Sequence, residues 1–162
     1  MNKLESSTIH TYLNSTFLNL FDSNVRNAIK QVKIPYRKDG GGNGSTNQSG
    51  ANGLPCKISL LSGYEVGWMS GYISYLPLDG AKLDYFEDGT GLSAGHKRIA
   101  NLNGSAVGWW LRSPYTGNTD TVFDVNSNGG NHNNFASASY GIRPALILRS
   151  YALVDDEFNI IS

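Results

Sequence analysis

Three histidines, one cysteine and a scatter of carboxylates are the groups in this chain able to move protons, attack carbon or hold a metal. His10, His96 and His132 lie far apart, and no His-Glu-x-x-His pattern brings two imidazoles onto one metal. Cys56 is the single cysteine, which excludes an internal disulfide and a multi-thiolate zinc site. It opens an apolar run, where a thiol acts as a small hydrophobe with a raised pKa. Asp84, Glu87 and Asp88 could ligate calcium, but the EF-hand spacing is missing and a solvated acidic turn accounts for them. No Gly-x-Ser-x-Gly elbow is present. The expectation is a chain with no catalytic residues and no cofactor, a structural calcium ion being the one left open.

A different chemistry stands in "NSNGGNHNNFASASY", residues 126–140, and in "TGNTDT", residues 116–121. Asn128-Gly129-Gly130 reads as a tight reversal, because Gly and Asn tolerate positive φ. The other amides need no such explanation. Amide and hydroxyl groups both donate and accept hydrogen bonds, and tyrosine adds rigid contact area, the combination that antibody paratopes use. Tyr115, Asn118, Asp120, Asn131, His132, Asn133, Asn134, Ser137 and Ser139 are therefore the expected ligand-binding residues, displayed on loops.

Two arginine motifs flank this segment, "WWLRSP" at 109–114 and "YGIRPALILRS" at 140–150. An arginine beside large apolar groups bonds backbone carbonyls or a carboxylate and stacks on indole rings. Trp109, Trp110, Arg112, Arg143 and Pro144 are accordingly expected to hold the frame, with Glu65, Asp84 and Asp124 as candidate partners. Strand alternation puts Trp109, Leu111 and Ser113 on one face and Trp110 and Arg112 on the other, so one tryptophan should be core and the other partly covered. Pro114 should end its ladder, and Pro144 should interrupt one or face outward.

The elements that must position these groups follow from periodicity. Ile9, Leu13, Phe17, Leu18 and Phe21 recur at helical spacing after Ser6 or Ser7 as cap, and Asp22 or Ser23 caps a short second helix. "VKIPYRK" and Lys57 to Leu61 read as strands, and Ala81 to Phe86 as a brief helix. The Gly/Ser/Asn stretch at 39–55 reads as a flexible loop; it lacks the Gly-Lys-Ser/Thr ending of a phosphate loop. Residues 87–108 read as an irregular connection containing at most short elements. Strands are expected at 109–113, 121–125 and 142–150. Helices first and strands later argue α+β with an antiparallel sheet.

The chain has 162 residues, 13 basic and 13 acidic, and only 16% are charged. That length suits one domain at 1–150, with 151–162 as a tail or last strand. Balanced charge gives no field for nucleic acid, and no apolar stretch is long enough for membrane insertion.

With these residues in place, "GWWLRSP", the "VNSNGG" turn, "YGIRPALIL" and the earlier "KISLLSGYEV" resemble a domain family of unknown function. It occurs in bacterial and prophage proteins of Gram-positive bacteria, and its signature reads close to W-W-L-R-S-P … G-V-R-P-A-L. The resemblance runs from the N-terminal helix to about Ser150. More distantly, Gly-Ile-Arg is similar to the Gly-Phe-Arg ending of the formylglycine-generating-enzyme branch of the C-type-lectin-like fold. That implies two helices and a small twisted antiparallel sheet with long loops. It carries no oxidase chemistry here, since that chemistry needs reactive cysteines. Phage receptor-binding tips and retroelement-diversified hypervariable proteins use the same fold. The resemblance thus implies a virion tail component with a bacterial-surface glycan or protein as partner, neighbouring virion subunits as alternative partners, and homotrimeric or other multivalent display.

Overall fold

The computed structural model describes residues 1–86, 95–155 and 160–161. Its architecture is mixed α and β, with short helices at the start and small antiparallel sheets after them.

The Ser7 hydroxyl accepts the His10 N–H and caps α1 (Thr8–Tyr12). The expected continuous helix then loosens. Leu13–Phe17 forms a π turn and Leu18–Leu20 a 3-10 turn. Asn14 in the wide turn explains the change. Its carboxamide donates to His10 O and Ile58 O and accepts from Lys57 N and Ile58 N, so one side chain binds the helix to the next strand region. Asp22 caps α2 (Ser23–Ala28) by accepting the Val25 N–H.

β1 (Val32–Ile34) and β2 (Tyr36–Lys38) are separated by Pro35, which has no N–H to contribute to a ladder. β2 pairs with β3 (Thr46–Gln48), and β1 with β4 (Leu54–Cys56). The glycine-rich stretch is therefore a hairpin and not a structureless loop. Gly40 and Gly41 are buried, and Gly41 N–H donates to the Asn2 carboxamide. β5 (Ile58–Leu60) follows.

From Ala81 to Phe86 the chain makes turns where a helix was expected; Leu83 N–H donates to Glu65 O, which leaves that segment tied to its neighbour. The stretch expected to hold at most short elements contains such elements among its described residues: a 3-10 turn (His96–Arg98) and a hairpin of β6 (Ala100–Leu102) and β7 (Ser105–Val107). Asn103 and Gly104 join them with φ of 52° and 82°, the left-handed pair that a two-residue hairpin turn requires.

β8 (Trp109–Pro114), β9 (Thr121–Val125) and β10 (Asn131–Phe135) form the largest sheet, in the order β10-β9-β8. Trp110 pairs with Asp124 and Pro114 with Val122, so β8 carries two extra residues between those pairs. This bulge breaks simple alternation and re-aims Arg112 into the interior. Of the expected strand 142–150, only β11 (Pro144–Leu146) forms a ladder, with Pro144 first in the strand opposite Leu60. β12 (Leu153–Val154) and β13 (Ile160–Ile161) pair beyond it.

One face of β8 and β9 supplies the main core, in which Trp109, Leu111, Phe123 and Val125 meet Val66, Trp68, Ile73 and Phe86. Leu13, Ile58 and Leu60 form a second cluster under the first helical turns, with Trp110 packed against it. No helix among the described residues is long and apolar enough to cross a membrane.

Candidate functional site

The frame around the sheet is held by guanidinium groups. All five Arg112 N–H groups find acceptors: Nε to Pro35 O at 2.9 Å, Nη1 to Leu60 O at 2.9 Å and Glu65 Oε2 at 2.5 Å, Nη2 to Glu65 Oε1 at 2.6 Å and Asp79 O at 2.8 Å. Glu65 is in turn placed by a reciprocal cap. Ser62 N–H donates to Glu65 Oε2, and Glu65 N–H donates to Ser62 Oγ. "SGYE" at 62–65 is the sequence signal for that cap, and it would have singled out Glu65 among the candidate partners.

Asp79 is fully buried beside this brace. Ser113 Oγ donates to its Oδ1, while Oδ2 has no partner. Burial pushes its pKa up to about 6, against the pull of Arg112 and Ser113. Arg98, also buried, bonds Gly129 O and Val66 O, and its own carbonyl accepts the Trp109 Nε1–H. Nothing in "AGHKRIANL" separates Arg98 from a solvated arginine. Arg143 lies 5.1 Å over the Trp109 ring and 5.4 Å over Phe86, and bonds Lys97 O.

On this frame the segment 131–135 is a strand, where a display loop was expected. Asparagine is a poor strand former, but the Asn126–Gly130 reversal sets the register and the backbone ladder does the rest. Gly129 turns at φ 83°, and Gly130 N–H is held by the Asn126 and Asn128 side chains. Pairing then divides the expected ligand residues between two faces. His132 opposes Asp124, and Asn134 opposes Val122; Asn131 and Asn133 oppose Val125 and Phe123 and point to the other side.

Trp110, Asp124 and His132 thus form one row across three strands. Asp124 is 0% exposed, and both its oxygens lie 3.1 Å from His132 Nδ1. Burial raises its pKa, and His132 opposes that shift. The buried carboxylate favours the tautomer with the proton on Nδ1, which leaves Nε2 as an acceptor on a side chain 45% exposed. Tyr140 packs on Trp110 (4.9 Å) and His132 (6.3 Å), and its hydroxyl accepts from Asn134 Nδ2. Asp124 therefore serves histidine and not an arginine.

Beside this row, on the same face, lies a cavity of about 530 Å³. Trp110 and Val122 form its floor, Leu4, Ser6 and Ile9 one wall, and Ala138, Ser139 and Tyr140 the other. A volume of this order accommodates a small ligand or part of a larger one.

The remaining expected residues lie elsewhere. The Asn118 carboxamide oxygen accepts the Asp120 and Thr121 N–H groups, and the Asn118 carbonyl accepts from Asn2, so Asn118 is used in shaping its turn. Asp120 is exposed, and its carbonyl accepts the Ala136 N–H, which brings the 116–121 loop beside Ser137. Tyr115 packs on the opposite, core side against Phe123. Cys56 is buried with its thiol pushed up to about 11 by desolvation, a packing residue. Of the acidic cluster read for calcium, Glu87 and Asp88 lie outside the described residues. Among those described, no group of three or more His, Cys, Asp or Glu side chains could hold a metal.

Fold and site together define a small mixed α/β domain whose loops are pinned by buried arginines and whose largest sheet carries a groove beside a His–Asp pair. The chain belongs to the family described as "Domain of unknown function (DUF6273)", which matches residues 1–150 and so spans the brace, the sheet and the groove. Comparisons with curated proteins and with solved structures find no match.

Proposed function

We propose that this chain is a non-enzymatic recognition domain of C-type-lectin-like type, carried by a phage or prophage structural protein such as a tail tip or baseplate component. Its ligand is a glycan or protein on the bacterial surface. One observation carries this reading: His132 and Asn134 meet Tyr140 on one face of the braced sheet, and Tyr140 with Ser139 lines the adjoining cavity of about 530 Å³. Neutral hydrogen-bonding groups with aromatic backing, held on a rigid frame, suit selective binding by many modest contacts. The likeness of "WWLRSP" and "GIRPAL" to prophage-encoded domains supports the setting, in which repeated copies raise avidity.

Two variants separate the faces. His132→Ala with Asn134→Ala and Ser139→Ala should lower retention on Gram-positive cell walls by about tenfold or more, as expected for loss of roughly 1.4 kcal/mol. Asn131→Ala with Asn133→Ala should leave retention intact. Equal retention by both, at unchanged melting temperature, would remove the groove from the proposal.

A second reading has one observation in its favour. Leu146, Ile147, Leu148, Tyr151 and Leu153 are all exposed along the C-terminal stretch. An assembly module would bury such a ridge against a neighbouring subunit. Sedimentation of the isolated chain distinguishes the two, a concentration-independent monomer favouring receptor recognition.

A further inference from the structure

A second surface, on the opposite side of the sheet from the groove, consists of aromatic rings. A ladder of rings leads from the core to solvent there. Trp68 meets Phe123 at 6.3 Å, Phe123 meets Tyr115 at 5.6 Å, and Tyr115 meets Tyr75 at 4.7 Å. Trp68 and Phe123 are each 1% exposed, whereas Tyr75 is 55% exposed and Tyr72 in the same turn segment is 62% exposed.

Tyr75 is one of three non-glycine residues with positive φ among those described, at 63°, and the only aromatic one. A bulky residue there is strained, and glycine or asparagine would adopt the turn more easily. The neighbouring loop enforces it: Thr116 donates to the Tyr75 carbonyl from both its N–H and its hydroxyl, each at 3.0 Å. The strain thus holds an aromatic ring at the surface, packed at a tilt on Tyr115 and fixed in direction. Strained residues that the surroundings overdetermine concentrate at ligand sites.

The surroundings indicate the ligand. From Val66 to Leu78 and from Ser113 to Thr119 the sequence contains no charged residue. Stacking sites for nucleic-acid bases are embedded in basic grooves, and this one is not. Beside the ring stands a hydroxyl instead: Thr116, bonded to the Tyr75 carbonyl, keeps acceptor capacity. An exposed ring with a hydroxyl beside it and no charge in its own segments matches a pyranose, which offers a C–H face to the ring and hydroxyls to its edge.

We propose that Tyr75, packed at a tilt on Tyr115, is a sugar-stacking site for a neutral glycan. It is separate from the groove and does not rest on the groove's assignment. The test passes the intact chain over an immobilised array of neutral oligosaccharides, including N-acetylglucosamine- and galactose-containing chains. At least one should be retained. Tyr75→Gly should weaken that retention about tenfold or more while the melting temperature stays level or rises, because glycine relieves the strain. Tyr75→Phe, which keeps the ring, should retain the same oligosaccharide. His132→Ala with Ser139→Ala should leave the capture unchanged, so failure at the groove and failure here are told apart. No retention of any oligosaccharide, or retention that Tyr75→Gly leaves untouched, overturns the proposal, as does capture of a peptide through Tyr75 in place of sugar.

Discussion

Arg112 fills five acceptor positions from one planar group, and a lysine in its place could fill at most three without matching their directions. Arg112→Ala should cost about 3–5 kcal/mol, because Glu65 is left beside the interior without its counter-charge. Urea unfolding measures this, and Arg112→Lys should recover only a minor part. Asp79 acts in the opposite sense. Its folded-state pKa of about 6 stands above the ordinary 3.8, so between those values the folded chain holds a proton that the unfolded chain has released. Stability therefore falls as pH rises through that interval, and the loss is complete above it. Taking roughly 1.4 kcal/mol per pH unit, the contribution is about 3 kcal/mol. Asp79→Asn removes it. The stability difference between variant and parent should shift in the variant's favour from about pH 4 to about pH 6, and a difference independent of pH would show that Asp79 titrates normally.

At the scale of elements, turn chemistry controls the hairpins. Gly104 and Gly129 both sit at positive φ, with open space around the first and the Gly95 carbonyl against the second. Gly104→Ala should cost about 1–2 kcal/mol for backbone strain alone, and Gly129→Ala distinctly more. Denaturation midpoints rank them, and equal costs would show that the 129 turn relaxes freely. Caps and turns were also what made elements legible in the sequence: Ser6 or Ser7 and Asp22 or Ser23 marked the helix starts, of which Ser7 and Asp22 are the caps, Asn128-Gly129-Gly130 marked the reversal, and "TVFDV" a strand with the bounds observed. The β6–β7 hairpin had an equally clear signal in Asn103-Gly104 that the lack of apolar alternation around it concealed. β10 had none, since four of its five residues are Asn or His and its strand character comes from pairing with β9. The groove was legible only in pieces. Ser139 and His132 stand out by composition, but the wall from residues 4–9 and the Asp124 partner depend on contacts remote in sequence.

The whole molecule carries equal numbers of acidic and basic residues, with a sequence pI near 6.8. The two cationic side chains lining the groove are each paired, Lys3 with Asp39 and Arg112 with Glu65, and the segments of the tyrosine surface have no charge, so binding at either should vary less than about threefold between 0.05 and 0.5 M salt. A steep salt dependence, read by surface plasmon resonance, would point to a polyanionic ligand instead. The two proposed surfaces lie on opposite sides of one thin sheet, so either can be altered while Arg112 and Arg98 keep the frame. β10 limits that freedom. Among the described residues it is the outermost strand of its sheet, and its five side chains include no lysine, glutamate or proline. Those are the residues by which rim strands elsewhere deter adhesion between molecules. Any lineage that explores new specificities along this rim is therefore confined to polar, weakly strand-forming replacements, because valine, isoleucine or tyrosine there would make the chains stick to one another before they gripped a new target.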